Sequence, residues 1–508
     1  MKRVYIGVDV GTSGCKAAAI GGDGGICGIE SVRYDDSLAC SGPGCYDQPA
    51  AVLRGAAFGC IRALTRGLPA GCRVDAIGLT GQMHGLVALD ERLRPLRPII
   101  SCVDFRNEKQ NSEIYRRAGG VEGLLEFTNN RMLASCTAGK ILWMRENEPE
   151  LFSRVRYIVN PKDYVRAALT GIAATDESDA AGFGVYDVKN RCWNEALLEL
   201  IDLPKAVLPP VLHADQTAGT VLPEIAAALG LCPDTVVVAG AGDAVMQTVG
   251  SGAVRPGVYG VVLGSGGLIA ASLDKCAHNE GARLQVYPSA LRGQWVAYTG
   301  LMSVGTSVNW LRANIYAQDA ADGFRRMDEQ AAQVQPGCGG LLFFPALLGQ
   351  RSPVDDPFAR GVVAGLNPAH TKGHLYRAML EGLAPGMREV YGQLRAVAAP
   401  MQCIRISGGG AVNALWCQIF ADVFQAPVQR AAEYAVCGAR GAAVLASCRG
   451  DPAKAAERFA AAETDRIFMP DASRKALYDD LFALYTQVYP AARALFSGLK
   501  RFDETYGV

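Results

Sequence analysis

Residues 9–16, Asp-Val-Gly-Thr-Ser-Gly-Cys-Lys, set a carboxylate before a glycine-rich turn with two hydroxyls and a lysine after it. Gly11 and Gly14 let backbone N–H groups come close to phosphate oxygens, and Thr12 and Ser13 add hydroxyl donors. Asp9 could hold a hydrated Mg²⁺, and Lys16 could offset phosphate charge. The same residues would also make a plain hairpin turn with a capping carboxylate, and alone the segment favours that reading. A second turn, Gly264-Ser265-Gly266-Gly267, repeats the hydroxyl but has Val262 where the first has Asp9, so a metal would belong to the first. The first turn is not a Walker P-loop, because the Gly-x-x-x-x-Gly-Lys-Ser/Thr spacing is missing there.

Three further segments carry polar groups at glycine turns. Asp243, in Gly240-Ala241-Gly242-Asp243-Ala244, follows an apolar run and could take a proton from a hydroxyl attacking a γ-phosphate; it could equally cap the segment after it. Ser407-Gly408-Gly409-Gly410 precedes Asn413, which reads as a helix cap, a nucleotide contact or both. Gln82, Met83 and His84 lie between Gly81 and Gly85, where Gln82 and His84 suit hydrogen bonding to a polyol; a structural histidine is the simpler reading of His84. His370 and His374 have metal spacing but no carboxylates patterned around them, which gives a zinc site little weight.

The elements that must position these groups follow an α/β alternation. Strands are expected at 4–10, 74–79, 235–239, 258–263 and 403–407, and helices at 138–146, 374–390, 415–424 and from about 473 onward. Strand, glycine-hydroxyl turn and strand occur twice, at residues 4–20 and 258–271, about half the chain apart. This echo suggests two domains on one plan, divided as 1–250 and 251–508. A length of 508 residues fits that division, and 50 basic against 50 acidic residues give no global field for nucleic acid or an anionic membrane. No run has the length of a membrane span and no signal segment is evident. The 16 cysteines are scattered singly, as expected of reduced thiols in a cytoplasmic protein.

Two longer stretches make a family resemblance specific. Residues 135–147, Ser-Cys-Thr-Ala-Gly-Lys-Ile-Leu-Trp-Met-Arg-Glu-Asn, are similar to the N-terminal signature of the FGGY family of carbohydrate kinases. Gly361-Val362-Val363-Ala364-Gly365-Leu366, then His374-Leu375 and Ala378-Met379-Leu380-Glu381, are similar to its C-terminal signature. The resemblance implies two ribonuclease-H-like domains of the actin and hexokinase type, with ATP and a sugar in the interdomain cleft. By the same resemblance Asp9 is Mg-associated, and Gly11, Thr12, Ser13 and Lys16 form the first phosphate turn. Gly264 and Ser265 form the second, Gly409, Gly410 and Asn413 the adenosine side, and Asp243 the catalytic base.

Within the family, Gln82-Met83-His84-Gly85, residues 161–164 and 174–180, and Asp104 with Arg106 look most like the branch that phosphorylates xylulose. Gln82, Met83, His84, Asp104 and Asp243 would then meet the sugar. Ala244 stands where that branch commonly has Asn, Cys102 and Val103 where a tryptophan is usual, and Gln350 where a glutamate is common. These departures bear on the sugar and leave ribulose, a polyol or a signalling sugar as alternatives. A sugar- or ATP-binding sensor of the same fold is the rival from another class. A homodimer is what the resemblance suggests for assembly.

Overall fold

A computed structural model describes residues 2–316 and 323–507, except for the side chain of Asp35. Two compact units emerge, and they are not contiguous in sequence. The first comprises Met1–Val254, Ser272–Ala297 and Val436–Ala462; the second comprises Arg255–Ala271, Tyr298–Ala435 and Glu463–Val508.

In the first unit Lys2–Val10, Gly14–Gly21 and Ile26–Arg33 form an antiparallel meander. Cys72–Gly81 then runs parallel to Lys2–Val10, and Val236–Val238 runs parallel to Cys72–Gly81. Parallel neighbours need crossovers, and Ala50–Gly67 supplies the first. Its Leu53, Ala57, Ile61 and Leu64 recur at helical spacing and join the core with Val4, Ile6, Val8 and Val10.

The second sheet repeats this order. Trp295–Leu301, Gly267–Leu273, Val258–Leu263, Cys403–Ser407 and Val428–Ala431 stand side by side, with Val258–Leu263 antiparallel to Gly267–Leu273 and parallel to Cys403–Ser407. The repeated glycine turns of the sequence are therefore the first hairpins of two equivalent sheets. This is the two-domain α/β fold expected from the resemblance.

Gly7 and Gly78 are direct partners on adjacent strands and leave a flat patch in the first sheet. The helix Cys437–Ser447 lies on it: a Cβ at Gly7 would sit 1.8 Å from the Ala439 carbonyl, and one at Gly78 would sit 2.0 Å from that of Ala442. A backbone cannot yield as a flexible side chain can. Gly78→Ala is accordingly expected to cost about 3 kcal/mol, read as a lowered urea midpoint with unchanged slope. An unaltered midpoint would contradict this packing.

Among the described residues no helix is long and apolar enough to cross a membrane. All sixteen cysteines are free thiols.

Candidate active site

The first turn is closed by Gly11 N–H donating to Gly14 O at 3.0 Å. Tyr34 donates its hydroxyl to Gly11 O at 2.6 Å, Gln48 Nε2 donates to Thr12 O at 3.0 Å, and Tyr34 N–H donates to Ser13 O at 3.0 Å. Each carbonyl of the turn thus faces a protein donor, and Ser13 is left exposed. Gln82 is 2% exposed, and its carboxamide belongs to this turn: it accepts from Thr12 Oγ1 at 3.3 Å and donates to Gly11 O at 3.4 Å. Gln48 and Tyr34, which the sequence reading missed, are part of the same brace; no local pattern marks them.

Asp9, at the end of the first strand, pairs in register with Lys16. A Cβ at Gly438 would lie 2.8 Å from Asp9 Oδ2, so glycine is what lets the N-terminal turn of helix Cys437–Ser447 approach this carboxylate. Burial pushes the Asp9 carboxyl up to about 6, with Lys16 pulling it back. Asp243 is the first residue of helix Asp243–Gly250, and Gly242 occupies the cap position that the sequence allowed for Asp243. Burial, and then the charge of Asp9, push Asp243 up to about 7. Two half-buried carboxyls, both raised by burial and Asp243 also by the charge of Asp9, make a site short of positive charge, which fits a divalent cation held beside phosphates.

Met83 packs against the Asp243 turn, since a Cβ at Gly242 would lie 2.5 Å from its sulfur. His84 takes a left-handed backbone at φ 69°, and its Nδ1 donates to Gly182 O at 2.8 Å. Lys140, from the N-terminal signature, is fully buried on helix Thr137–Asn147 and donates to the carbonyls of His84, Ser101 and Ser135 at 3.0, 2.7 and 2.8 Å. Burial lowers this ammonium to about 8, and the three carbonyls tie the His84 loop to the segment that carries Asp104. Asp104 itself is fully buried; both its oxygens accept from Arg106 Nε, at 3.0 and 2.9 Å, and Oδ2 also accepts from Tyr46 N–H. Arg106 lies over the Trp143 ring at 4.9 Å. The structure therefore gathers Asp9, Thr12, Gln82, Met83, His84 and Asp243 into one set of interlocked turns, whereas Asp104 is committed to its own ion pair.

The second unit holds the remaining predicted residues. Gly264 O accepts from Gly305 N–H at 2.9 Å, and Ser265 O accepts from Val304 and Thr306 N–H at 2.9 and 3.1 Å. Helix Gly305–Ile315 thus starts on the second turn, and the Gly305-Thr306-Ser307 run that marks its start went unread in the sequence. Gly408, at φ 87°, passes 2.7 Å (as a Cβ) from Leu263 O, while Gly409 faces open space. Asn413 caps helix Ala414–Phe424 by accepting from Trp416 N–H at 2.9 Å, and its amide donates to Asp328 and Tyr376 at 2.6 and 3.0 Å. The helix cap that the sequence allowed for Asn413 is therefore formed.

Known proteins resemble this chain along its whole length. The N-terminal domain of the FGGY family of carbohydrate kinases matches residues 4–250 and the C-terminal domain matches residues 260–449. The xylulose kinase of Escherichia coli K12 is 30% identical over 96% of this chain and 99% of that protein. The gluconokinase of Bacillus subtilis is 27% identical over 84% of each. The crystal structure of a xylulose kinase from Rhodospirillum rubrum superposes with a TM-score of 0.86 at 27% identity, covering 97% of this chain and all of that one. With both domains matched in order, and glycine turns and carboxyls standing on the duplicated sheets, the chain belongs to the FGGY family of carbohydrate kinases.

Proposed function

We propose that this sugar kinase converts D-xylulose to D-xylulose 5-phosphate at the expense of ATP, with Asp243 as general base. The observation that carries the mechanism is the Asp243 turn. A carboxyl pushed up to about 7 stands at a helix start, against Met83 of the polar loop and beside Asp9. Ionised, Asp243 takes the proton of the attacking sugar hydroxyl; near neutral pH it is poised to do so. On the first unit Gly11, Thr12 and Ser13 bind phosphate through backbone donors and hydroxyls; on the second, Gly264 and Ser265 do the same. Lys16 adds positive charge. Asp9 would hold Mg²⁺, which neutralises phosphate charge when bound.

Met83 and His84 face the sugar, while Gln82 and Asp104 hold the loops that do so. Gly409, Gly410 and Asn413 form the adenosine side, Asn413 by fixing the helix start. Residues 1–250 thus carry the sugar and the first phosphate turn, and residues 251–508 the nucleotide side.

The xylulose assignment rests on the full-length likeness to xylulose kinases. Gluconate is the second reading, favoured by the gluconokinase likeness and by Ala244, whose methyl offers a sugar no hydrogen bond. Steady-state ADP release with D-xylulose, D-ribulose, glycerol and gluconate separates them: the highest kcat/KM belongs to D-xylulose, and a preference for gluconate would overturn the assignment. The kcat/KM for the sugar should rise with pH through about 7, the side on which Asp243 loses its proton. A flat profile between about pH 5.5 and 8.5 would remove the base from this carboxyl.

A further inference from the structure

The mechanism leaves unused the most completely buried charged groups of the first unit. Lys162, Asp163, Arg166, Asp176 and Asp179 are each 0 to 1% exposed. The Lys162 ammonium lies 2.6 Å from Asp163 Oδ1, 2.6 Å from Asp176 Oδ2 and 3.0 Å from Asp179 Oδ2, and Arg166 lies 3.0 Å from Asp163. Three carboxyls this close have the spacing of a metal site. A lysine ammonium already sits among them, however, and does what a metal would do. Burial holds Asp179 well above the usual carboxylate range, against the pull of Lys162.

The cluster reaches the Asp243 turn from both sides. Arg166 Nη1 donates to Ala239 O at 2.7 Å, before Gly240. On the other side Gly242 N–H donates to Ser178 Oγ at 2.9 Å, and Ser178 Oγ donates to Asp176 Oδ1 at 2.5 Å. Asp176 also caps helix Glu177–Gly182 by accepting from Ser178 and Asp179 N–H, which fixes Ser178 in place. Gly240 has φ 81° and lies tight on the neighbouring strand, where a Cβ would sit 1.9 Å from Leu79 O; Ala239 and Gly240 N–H donate to Gln216 and Ala214 O at 2.9 Å, and at the end of the turn Ser178 holds Gly242 N–H, next to Asp243.

We infer that Ser178, held by Asp176 and Lys162, is a positioning residue for phosphoryl transfer: with Arg166 it fixes residues 239–242 so that the Asp243 carboxylate meets the sugar hydroxyl. The inference rests on Asp243 being the base. A displaced base fails the sugar hydroxyl but matters less to adventitious attack of water on ATP, whereas a chain that folds poorly loses both rates together.

The test compares sugar-dependent with sugar-independent ADP release in the full-length protein, with D-xylulose as the sugar, for wild type, Ser178→Ala, Ser178→Thr and Asp243→Asn. Ser178→Ala should lower the ratio of the two rates about tenfold or more through kcat, with the sugar KM within about threefold, because misplacement by an ångström is costly. Ser178→Thr keeps the hydroxyl and should restore most of the ratio. Should Ser178→Ala not fold, Ser178→Cys gives the same reading with a weaker partner for Gly242. An unchanged ratio, or equal loss of both rates, in Ser178→Ala, while Asp243→Asn is inactive as expected, overturns the positioning role alone. Sugar-dependent turnover that survives Asp243→Asn overturns the base reading instead.

Discussion

Asp243→Asn is expected to lower sugar-dependent kcat by about 10²- to 10⁴-fold, the range a general base supplies, and at the same time to make the metal-free protein more stable. The two effects have one cause. Burial, and then the charge of Asp9, raise Asp243, so the charged form needed for catalysis is the form the fold disfavours. The sign follows from linkage. A folded-state value of about 7 lies above the ordinary 3.8 of the unfolded chain. Its stabilising contribution is therefore complete below the unfolded value and is lost as pH rises through about 7. At about pH 8 the neutral amide should gain on the order of 2 kcal/mol over wild type, a gain that shrinks as pH falls towards about 4. Thermal melts of both proteins in chelator, across that range, provide the check. A variant less stable than wild type at the alkaline end would show that Asp243 is a structural carboxylate.

Lys162→Met is expected to be among the most damaging single changes in the chain. The methionine keeps the length of the side chain and removes the ammonium that three buried carboxyls share. Burial alone would lower the lysine, yet the carboxylates of Asp163 and Asp176, with Asp179, raise it above its ordinary value. Taking one partner from a buried ion pair costs about 3 to 5 kcal/mol, a large part of what holds a domain folded. The measurement is urea unfolding of wild type, Lys162→Met and the double variant Lys162→Met/Asp176→Asn. The double change removes one uncompensated charge and should recover part of the loss. Equal stability of wild type and the single variant would show that the Lys162 ammonium balances no buried carboxylate.

Much of this was legible because it is local. An apolar run that ends on Gly-Thr-Ser or Gly-Ser-Gly must turn, so the two hairpins and their place on equivalent sheets could be read at residues 4–20 and 258–271. The apolar face of 414–424 and its Asn413 cap were likewise fixed by neighbours in sequence. What escaped is what depends on distant residues. Residues 161–164 and 174–180 show in sequence only their family likeness, and nothing near Lys162, Asp163 and Arg166 says that they are buried against residues 174–179 and 239. Gly7 and Gly78 look like weak points in two strands until an alanine-rich helix more than 350 residues downstream is seen to need their flatness. That helix, in Val436–Ala462, lies within the C-terminal stretch of the chain yet folds with the first unit, and an apolar helix carries no signal of which sheet it will cover. The hydrogen bonds of Gln82 escaped for a related reason: only the fold brings Thr12 and Gly11 to its carboxamide.

Phosphoryl transfer from ATP to D-xylulose is best followed at the phosphate itself. Purified protein is mixed with Mg-ATP and D-xylulose, and ³¹P NMR records where the γ-phosphate goes. A new phosphomonoester on the terminal oxygen of the ketose is expected, formed one for one with ADP and absent when Asp243→Asn replaces the wild type. Inorganic phosphate as the sole new species, or no change until gluconate replaces the ketose, would contradict it.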